Sequence, residues 1–431
     1  MVTREENQLL TRVGPGTPMG ELMRRYWIPA AMSSEVVADG APLRLMLLGE
    51  QLLAFRDSTG RVGILDHACP HRCASLFFGR NDEGGLRCIY HGWKFDVEGN
   101  CLEMANVPPH QDFKHRVRAK AYKTIERNGL IWAYMGPLDE KTGEPPALPQ
   151  IEATLLPAQA VTFNWMQREC NWLQVLEGDL DTSHTDFLHG GARTEKVFAP
   201  DDPRRFGAIN RSPEYEISET EWGTMYGAFR PADPGETYWR IAHFLFPFWT
   251  ITPSGPFGRH IYARAWVPMD DTHTMAMRII GNAGRVDPGG AQQLGIVTGL
   301  DDLLPNSSDW YGRWRPRTSA ANDYLIDRDK QRANSFSGIP GIAAEDQAVT
   351  ESMGGMVNRM GEHLAPSDRM IAVTRRRVLD AGRAVERGEK PPAASAETYD
   401  GVRGGYFIAK QGGGMFDAYR AASAKRESTP A

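Results

Sequence analysis

The chain has 431 residues, 41% hydrophobic and 24% charged, with a formal net charge of -5. That length favours two domains over one, and the composition excludes a fibre, a disordered tail or a membrane-embedded bundle. The mild negative charge is spread along the chain and leaves no basic face for counterion release, so nucleic acid is not an expected partner.

The opening MVTREENQLLTRVGPGTPMGELM mixes charges and lacks the apolar core of a signal peptide, and no later apolar run is long enough to span a bilayer. A cytoplasmic protein with no membrane partner is expected. From Leu43 to Asp66 the runs LRLMLLGE, QLLAFRD and RVGILD alternate around turn signals and predict short strands and hairpins, and β character returns in LRCIYHGWKF and NGLIWAYMG. These segments place a small all-β domain at about residues 25–137. The stretch Gly136 to Pro157 reads as a proline-bearing linker. A second domain, 138–431, follows, and the N-terminal helical segment 1–24 is expected to pack on it. Within it Asn171 to Leu188 is predicted helical, Tyr215 to Ile280 carries several strands, and Gln347 to Arg387 is predicted helical. A run of strands followed by long helices argues for an α+β class. The Gly-rich stretch Gly401 to Gly414 reads as a surface extension.

The five cysteines, Cys69, Cys73, Cys88, Cys101 and Cys170, are too few for a secreted disulfide framework, and two of them stand close to histidines. Cys69-Pro70-His71 and Cys88-Ile89-Tyr90-His91 put one cysteine and one histidine on each of two loops. Two thiolates and two imidazoles suit a Rieske [2Fe-2S] centre, in which each ligand type holds one iron. A structural Zn²⁺ site would accept the same donors, but the C-x-H spacing differs from the C-x₂₋₄-C and H-x₃₋₅-H pairs of zinc fingers. The full segment CPHRCASLFFGRNDEGGLRCIYHGWKFDVEGNC resembles the cluster-binding segment of Rieske non-haem iron oxygenases of the phthalate dioxygenase group. The resemblance implies that Trp93 packs beside the cluster. Respiratory Rieske proteins add a cysteine to each loop and join the two by a disulfide; here Tyr90 stands where Cys73 would need its mate. Cys73 replaces a glycine often seen in this group and is expected to be a small packed side chain, while Cys101 and Cys170 are expected to fill core.

Further on, NWLQVLEGDLDTSHTDFLHG contains Asp181-x-x-His184-x₄-His189 on a predicted helix. Two imidazoles and a carboxylate on one face of an iron leave the other positions open for O₂ and substrate. Residues i and i+5 are about 140° apart on an ideal α-helix, so the helix must distort or end between the histidines, and Gly190-Gly191 offers an end. The resemblance assigns His184 and His189 as ligands of a mononuclear Fe(II). It makes Asp181 the acid that links this iron to a Rieske histidine, His91, of the adjacent subunit. It finds the third ligand in AAEDQAVTESMGG as Asp346, beside Glu345, which could equally be an acid favoured by a helix N-terminus.

The resemblance extends from NQLLTRVGPGTPMGELMRRYWIPA to MGEHLAPSDRMIAVTRRRVLDA. It implies a Rieske domain plus a catalytic domain whose antiparallel sheet wraps a long helix (helix-grip type), assembled as a homotrimer or stacked trimers. No G-x-G-x-x-G fingerprint is present, so electrons must come from a separate NAD(P)H-dependent reductase of the FMN/ferredoxin type. The implied reaction uses O₂ to hydroxylate an aromatic carboxylate, as in phthalate dihydroxylation, or to O-demethylate a methoxylated aromatic acid. A more distant reading is a Rieske electron carrier without mononuclear iron. Arg240, in the run Tyr238-Trp239-Arg240, could hold the substrate carboxylate or could be a surface or interface charge. Parity puts Phe244, Phe246 and Phe248 on its face of the strand, although these and Trp249 read as core.

Overall fold

The computed structural model describes residues 2–191, 198–259, 261–281 and 302–427. Two short helices open the chain, α1 (Arg4–Thr11) and α2 (Pro18–Arg24). Thr3 and Glu6 cap α1 reciprocally, and Thr17 caps α2 with Pro18 in its first turn. The first sheet has six strands: β1 (Trp27–Met32), β2 (Leu43–Leu47), β3 (Glu50–Arg56), β4 (Val62–Asp66), β9 (Ala121–Arg127) and β10 (Leu130–Tyr134), in the order β1-β10-β9-β4-β3-β2. Between β4 and β9 a four-stranded sheet is inserted, made of β5 (Arg80–Asp82), β6 (Gly85–Arg87), β7 (Trp93–Phe95) and β8 (Cys101–Met104). The run LRCIYHGWKF is therefore two strands with the Cys88–Gly92 loop between them. The small sheet packs Leu76, Leu86, Trp93 and Phe95 into a core with Leu53 and Phe55 of β3 and Leu65 of β4. The rest of the six-stranded sheet shares one continuous core with the remainder of the chain, where Trp132 of β10 stacks on Trp249 at a centroid distance of 5.9 Å.

After the linker come α3 (Glu152–Leu155), β11 (Val161–Arg168), α4 (Trp172–Leu180), α5 (Arg205–Ile209) and a run of strands: β12 (Glu214–Glu219), β13 (Gly223–Pro231), β14 (Glu236–Leu245), β15 (Trp249–Ile251), β16 (Tyr262–Pro268) and β17 (Thr274–Gly281). They form an antiparallel sheet ordered β11-β17-β16-β15-β14-β13-β12. Then follow α6 (Arg328–Ala333), α7 (Ile342–Glu351), α8 (Arg369–Glu386), β18 (Gly405–Lys410) and α9 (Met415–Glu427). One face of the sheet is covered by helices. Asp179 of α4 accepts from Thr250 (2.6 Å), Trp266 (2.9 Å) and Arg264, and Thr224 of β13 meets Thr374 of α8 at 2.8 Å. Buried Glu177 ties the two helices together, taking Arg375 of α8 at 2.5 Å and Arg359 at 3.1 Å. Removing one member of such a buried network costs about 3–5 kcal/mol, since it leaves a charge unpaired. Helix α1 docks here too: Trp172 donates to the carbonyl of Leu10 (3.1 Å) and Asn171 to that of Thr11 (2.9 Å).

Several sequence expectations need correction. The helix predicted over Asn171 to Leu188 stops at Leu180, because the Asp181 side chain takes the N–H groups of Ser183 (2.8 Å) and His184 (3.3 Å) and competes with the helix backbone. The helical stretch predicted over Gln347 to Arg387 is two helices, α7 and α8, interrupted around Gly354-Gly355 and Pro366. The Gly-rich stretch is no surface extension. Gly405–Lys410 pairs with Glu236–Ile241 of β14, and a Cβ on Gly405 would fall 2.6 Å from the Cα of Phe257, so glycine serves close backbone approach. Phe244 shares the Arg240 face of β14, but the strand ends at Leu245, so Phe246 and Phe248 lie beyond the parity argument; both are buried in core.

Candidate metal centres

The two cysteine–histidine loops close with the same turn. The N–H of Cys73 bonds to the carbonyl of Cys69 (2.8 Å), and that of Gly92 to the carbonyl of Cys88 (2.9 Å). The closing residue is left-handed in each, with φ of +59° at Cys73 and +76° at Gly92. Cys73 is thus exposed at the rim rather than packed, which corrects the expectation, and its position explains why a glycine suits it. Cys69 and Cys88 are buried side by side, and burial pushes the Cys69 thiol up to about 11, with the Cys88 thiol adding to the rise. His71 and His91 meet at a centroid distance of 4.4 Å, and the Nδ1 of each is buried without a protein partner. Trp93 stacks on His71 at 4.3 Å and 9° and anchors its Nε1 on Asn106 at 2.8 Å. Two adjacent buried thiols facing two imidazole nitrogens left unsatisfied are the donor set a [2Fe-2S] centre needs. The residues fit the group. Cys101 and Cys170 are buried, as expected.

The second group forms where α4 has broken. His184 lies on a single 3₁₀ turn, His184–Asp186, and the chain then returns His189 toward it. The Nε2 atoms of His184 and His189 stand 3.1 Å apart, and Oδ1 of Asp346, from α7, lies 3.0 Å from Nε2 of His189 and 3.6 Å from that of His184. One donor atom from each of the three lies within 4.8 Å of the others. Burial opposes a charge on His189, yet the Asp346 and Glu345 carboxylates outweigh it and push its pKa up to about 9. A metal cation satisfies those carboxylates without that proton. Two imidazoles and one carboxylate converging in this way fit a non-haem iron.

The sequence alone leaves the role of Glu345 open. Its Oε2 accepts from Nδ1 of His189 at 2.7 Å, while Ser337 donates to Oε1 at 2.5 Å. The carboxylate therefore fixes the ring so that Nε2 presents its lone pair to the metal position. Nothing in the sequence marks Ser337 for this task. Asp181 stands 3.7 Å from Nδ1 of His184 while holding Ser183 through its hydroxyl (2.7 Å) and N–H. Its pKa is lowered: burial opposes the shift, but contact with His184 and Ser183 outweighs it.

The covered sheet face runs beneath this group. Arg240 sits opposite Ala228, Tyr238 opposite Arg230, Tyr226 opposite Ala242 and Tyr215 opposite Ala228. Arg230 is ion-paired with Asp186, on the turn that carries His184. Arg240 forms no salt bridge among the described residues, and its buried Nε lacks a hydrogen-bond partner there. Among the described residues Asp186 is thus the carboxylate facing both guanidinium groups, and Arg240 also lies beside Tyr238 while its Nε stays without a hydrogen bond.

Residues 26–119 match the family described as Rieske [2Fe-2S] domain, and residues 133–399 match that described as LigXa C-terminal domain like. The chain is 48% identical to the 3-chlorobenzoate-3,4-dioxygenase oxygenase subunit of Comamonas testosteroni, covering 95% of each chain. It is 38% identical to the phthalate 4,5-dioxygenase oxygenase subunit of Pseudomonas putida, covering 90% of this chain and 88% of that one. The fold resembles that of dicamba monooxygenase bound to 3,6-dichlorosalicylic acid, with a TM-score of 0.56 at 19% identity over 85% of this chain and 99% of the other. No helix among the described residues is long and apolar enough to cross a membrane. A cysteine–histidine centre and a two-histidine, one-carboxylate centre in one chain, on domains that both match, make this protein a member of the Rieske non-haem iron oxygenases, an oxygenase subunit using a [2Fe-2S] cluster and a mononuclear iron with electrons from a separate reductase.

Proposed function

We propose that the protein oxygenates a benzoate- or phthalate-like aromatic carboxylate and holds the carboxylate on Arg240. The observation that carries this reading is the Arg240 guanidinium on the sheet face beneath the His184–Asp186 turn, buried, without a salt bridge among the described residues and with its Nε unpaired there, where an anion is a natural complement. The relatives from Comamonas and Pseudomonas are named for oxygenating aromatic acids, which agrees with it. In this reading Cys69, Cys88, His71 and His91 hold the cluster, His184, His189 and Asp346 hold the iron, and Trp93 keeps the His71 ring in place. When bound, the iron supplies O₂ activation and the cluster its electrons.

Asp181 is the bridge to His91 of a neighbouring subunit in a homotrimer. Support for docking between chains comes from exposed apolar side chains at both ends of that path. Phe78 (61% exposed), Ile89 (64%) and Tyr90 (54%) surround the cluster loops, and Phe187 (46%), Phe336 (52%) and Met353 (51%) surround the iron ligands.

The test is turnover with a generic reductase and a panel of benzoates, phthalates and methoxylated acids, each paired with its methyl ester, with formaldehyde assayed. The acids should turn over and the esters should not. Arg240→Gln should raise KM for the acids roughly 10- to 150-fold, the equivalent of the about 1.5–3 kcal/mol of a charged hydrogen bond. Equal turnover of esters and acids would contradict the reading, and formaldehyde release would shift it from dihydroxylation to O-demethylation.

A further inference from the structure

The rings beside His71 do not end inside the domain. Trp93 stacks on His71 at 4.3 Å, and Phe113 meets Trp93 edge-on at 5.8 Å with its own side chain 41% exposed. A file of three rings thus leads from one cluster histidine to the surface. The other, His91, has the exposed ring of Tyr90 against it at 3.9 Å. The two imidazoles therefore reach the surface beside different side chains, and the file belongs to the one that the bridge to Asp181 does not use. Where Phe113 emerges, the surface is basic. A single 3₁₀ turn, Lys114–Arg116, follows it, and the run from Lys114 to Lys120 holds Lys114, Arg116, Arg118 and Lys120 with no acid. Lys114 faces Asp112 at 3.5 Å and Lys120 meets Glu50 at 2.5 Å. Arg116 and Arg118 are exposed and form no salt bridge among the described residues: Arg116 donates to His115 at 3.3 Å, and Arg118 to the carbonyl of Glu98 at 3.0 Å. An exposed aromatic ring flanked by arginines without carboxylate partners has the composition of a docking site, and its charge selects an acidic partner.

We propose that Phe113, Arg116 and Arg118 form the surface on which the separate reductase docks an acidic iron–sulfur domain, so that electrons enter along Phe113, Trp93 and His71 and leave by way of His91. In each transfer the reduced iron–sulfur centre of the donor loses one electron and the oxidised cluster gains it, with no bond made or broken. The inference rests on Cys69, His71, Cys88 and His91 holding the cluster, which the visible spectrum and iron content of every variant check separately.

The experiment follows cluster reduction by stopped flow in the oxidised holoenzyme, without O₂ or substrate, so that no turnover intervenes. The donors are a reduced plant-type [2Fe-2S] ferredoxin, which is acidic, and two small carriers of opposite charge, reduced anthraquinone disulfonate and reduced methyl viologen. Arg116→Glu combined with Arg118→Glu should slow reduction by ferredoxin at least about tenfold at low salt, the lower end of what electrostatic steering supplies. The same variant should slow the anionic carrier and speed the cationic one, and these differences should shrink as salt is raised, since the screening length falls to about 10 Å at 0.1 M. Phe113→Leu should raise the dissociation constant of oxidised ferredoxin, measured by calorimetry, by roughly tenfold or more, the loss expected at an aromatic anchor, with the cluster potential unchanged. Wild-type rates and affinities in both variants, or equal changes with the two small carriers, would overturn the proposal and leave Phe113 as a cover for Trp93. A change in subunit assembly on sedimentation of the charge-reversed variant would also overturn it, by giving the surface to a neighbouring subunit.

Discussion

The two metal groups differ in how far the chain must travel to build them. The cluster donors come from two neighbouring loops that close with the same Cys-to-i+4 turn and are held by one small sheet. The iron donors come from the frayed end of α4 and from α7, and 156 residues separate His189 from Glu345, the acid that orients it. A local group can keep its shape while the rest of the domain changes. A dispersed group inherits its geometry from the packing of the whole domain, here from α4 pinned to the sheet through Asp179 and to α8 through Glu177. The cluster should therefore tolerate injury to the catalytic domain, and the iron site should be the sensitive partner.

The largest separation should come from Asp346→Ala. The variant should lose the mononuclear iron and all turnover while keeping the visible spectrum of the cluster, because the two groups share no residue. Metal analysis showing mononuclear iron at wild-type content would send the third-ligand assignment to Glu345. The reciprocal injury is His91→Cys, which should keep a [2Fe-2S] cluster but lower its potential by on the order of hundreds of millivolts, since thiolate donates more charge than imidazole. A redox titration that finds the wild-type potential would remove His91 from the ligand set. Glu345→Gln keeps the shape around His189 but weakens its hold on the ring, so iron affinity should fall roughly 10–100-fold with the cluster untouched. An unchanged affinity in a chelator competition would make Glu345 a bystander.

The smallest effect belongs to the cluster side. Glu103 of β8 ties the hairpin together by accepting from Arg87 of β6 (2.8 Å) and Lys94 of β7 (2.5 Å), and these bonds lower its pKa to about 2. A lowered folded-state value stabilises the protein above the ordinary glutamate range, and that stabilisation drains away as pH falls toward about 2. Glu103→Gln should flatten the acid limb of the stability profile in that window and leave neutral pH little changed, since the carboxylate is 42% exposed and solvent screens it. An acid limb identical to the wild type would show that the pair contributes nothing.

The same contrast explains what could be read from the residues alone. The proposed cluster ligands stand out in the sequence because C-x-H and C-x₂-H are short-range patterns with few other uses. The pairing of His184 with His189 was suggested by spacing, but the break that brings them together was not, since the apolar periodicity of WLQVLEGDLDTSHTDFL runs straight through Asp181 and only its side-chain bonds show the stop. Asp346 came from resemblance, as no local pattern distinguishes it from Glu345; the structure separates them by which carboxylate faces Nε2 and which faces Nδ1 of His189. The glycines near residue 404 suggested a loose tail, whereas tight backbone contact, which demands the same residue, produced a strand.

The proposed coupling of the two groups through Asp181 is tested most directly by the return of colour in a pre-reduced sample of Asp181→Asn mixed with O₂ and substrate in a stopped-flow instrument. Asparagine keeps the size and removes the charge. Both metals should load at wild-type content while cluster reoxidation slows by at least about 10–100-fold, the effect expected when a carboxylate partner of a metal-bound histidine is lost. Reoxidation at the wild-type rate in a fully loaded variant would contradict the account.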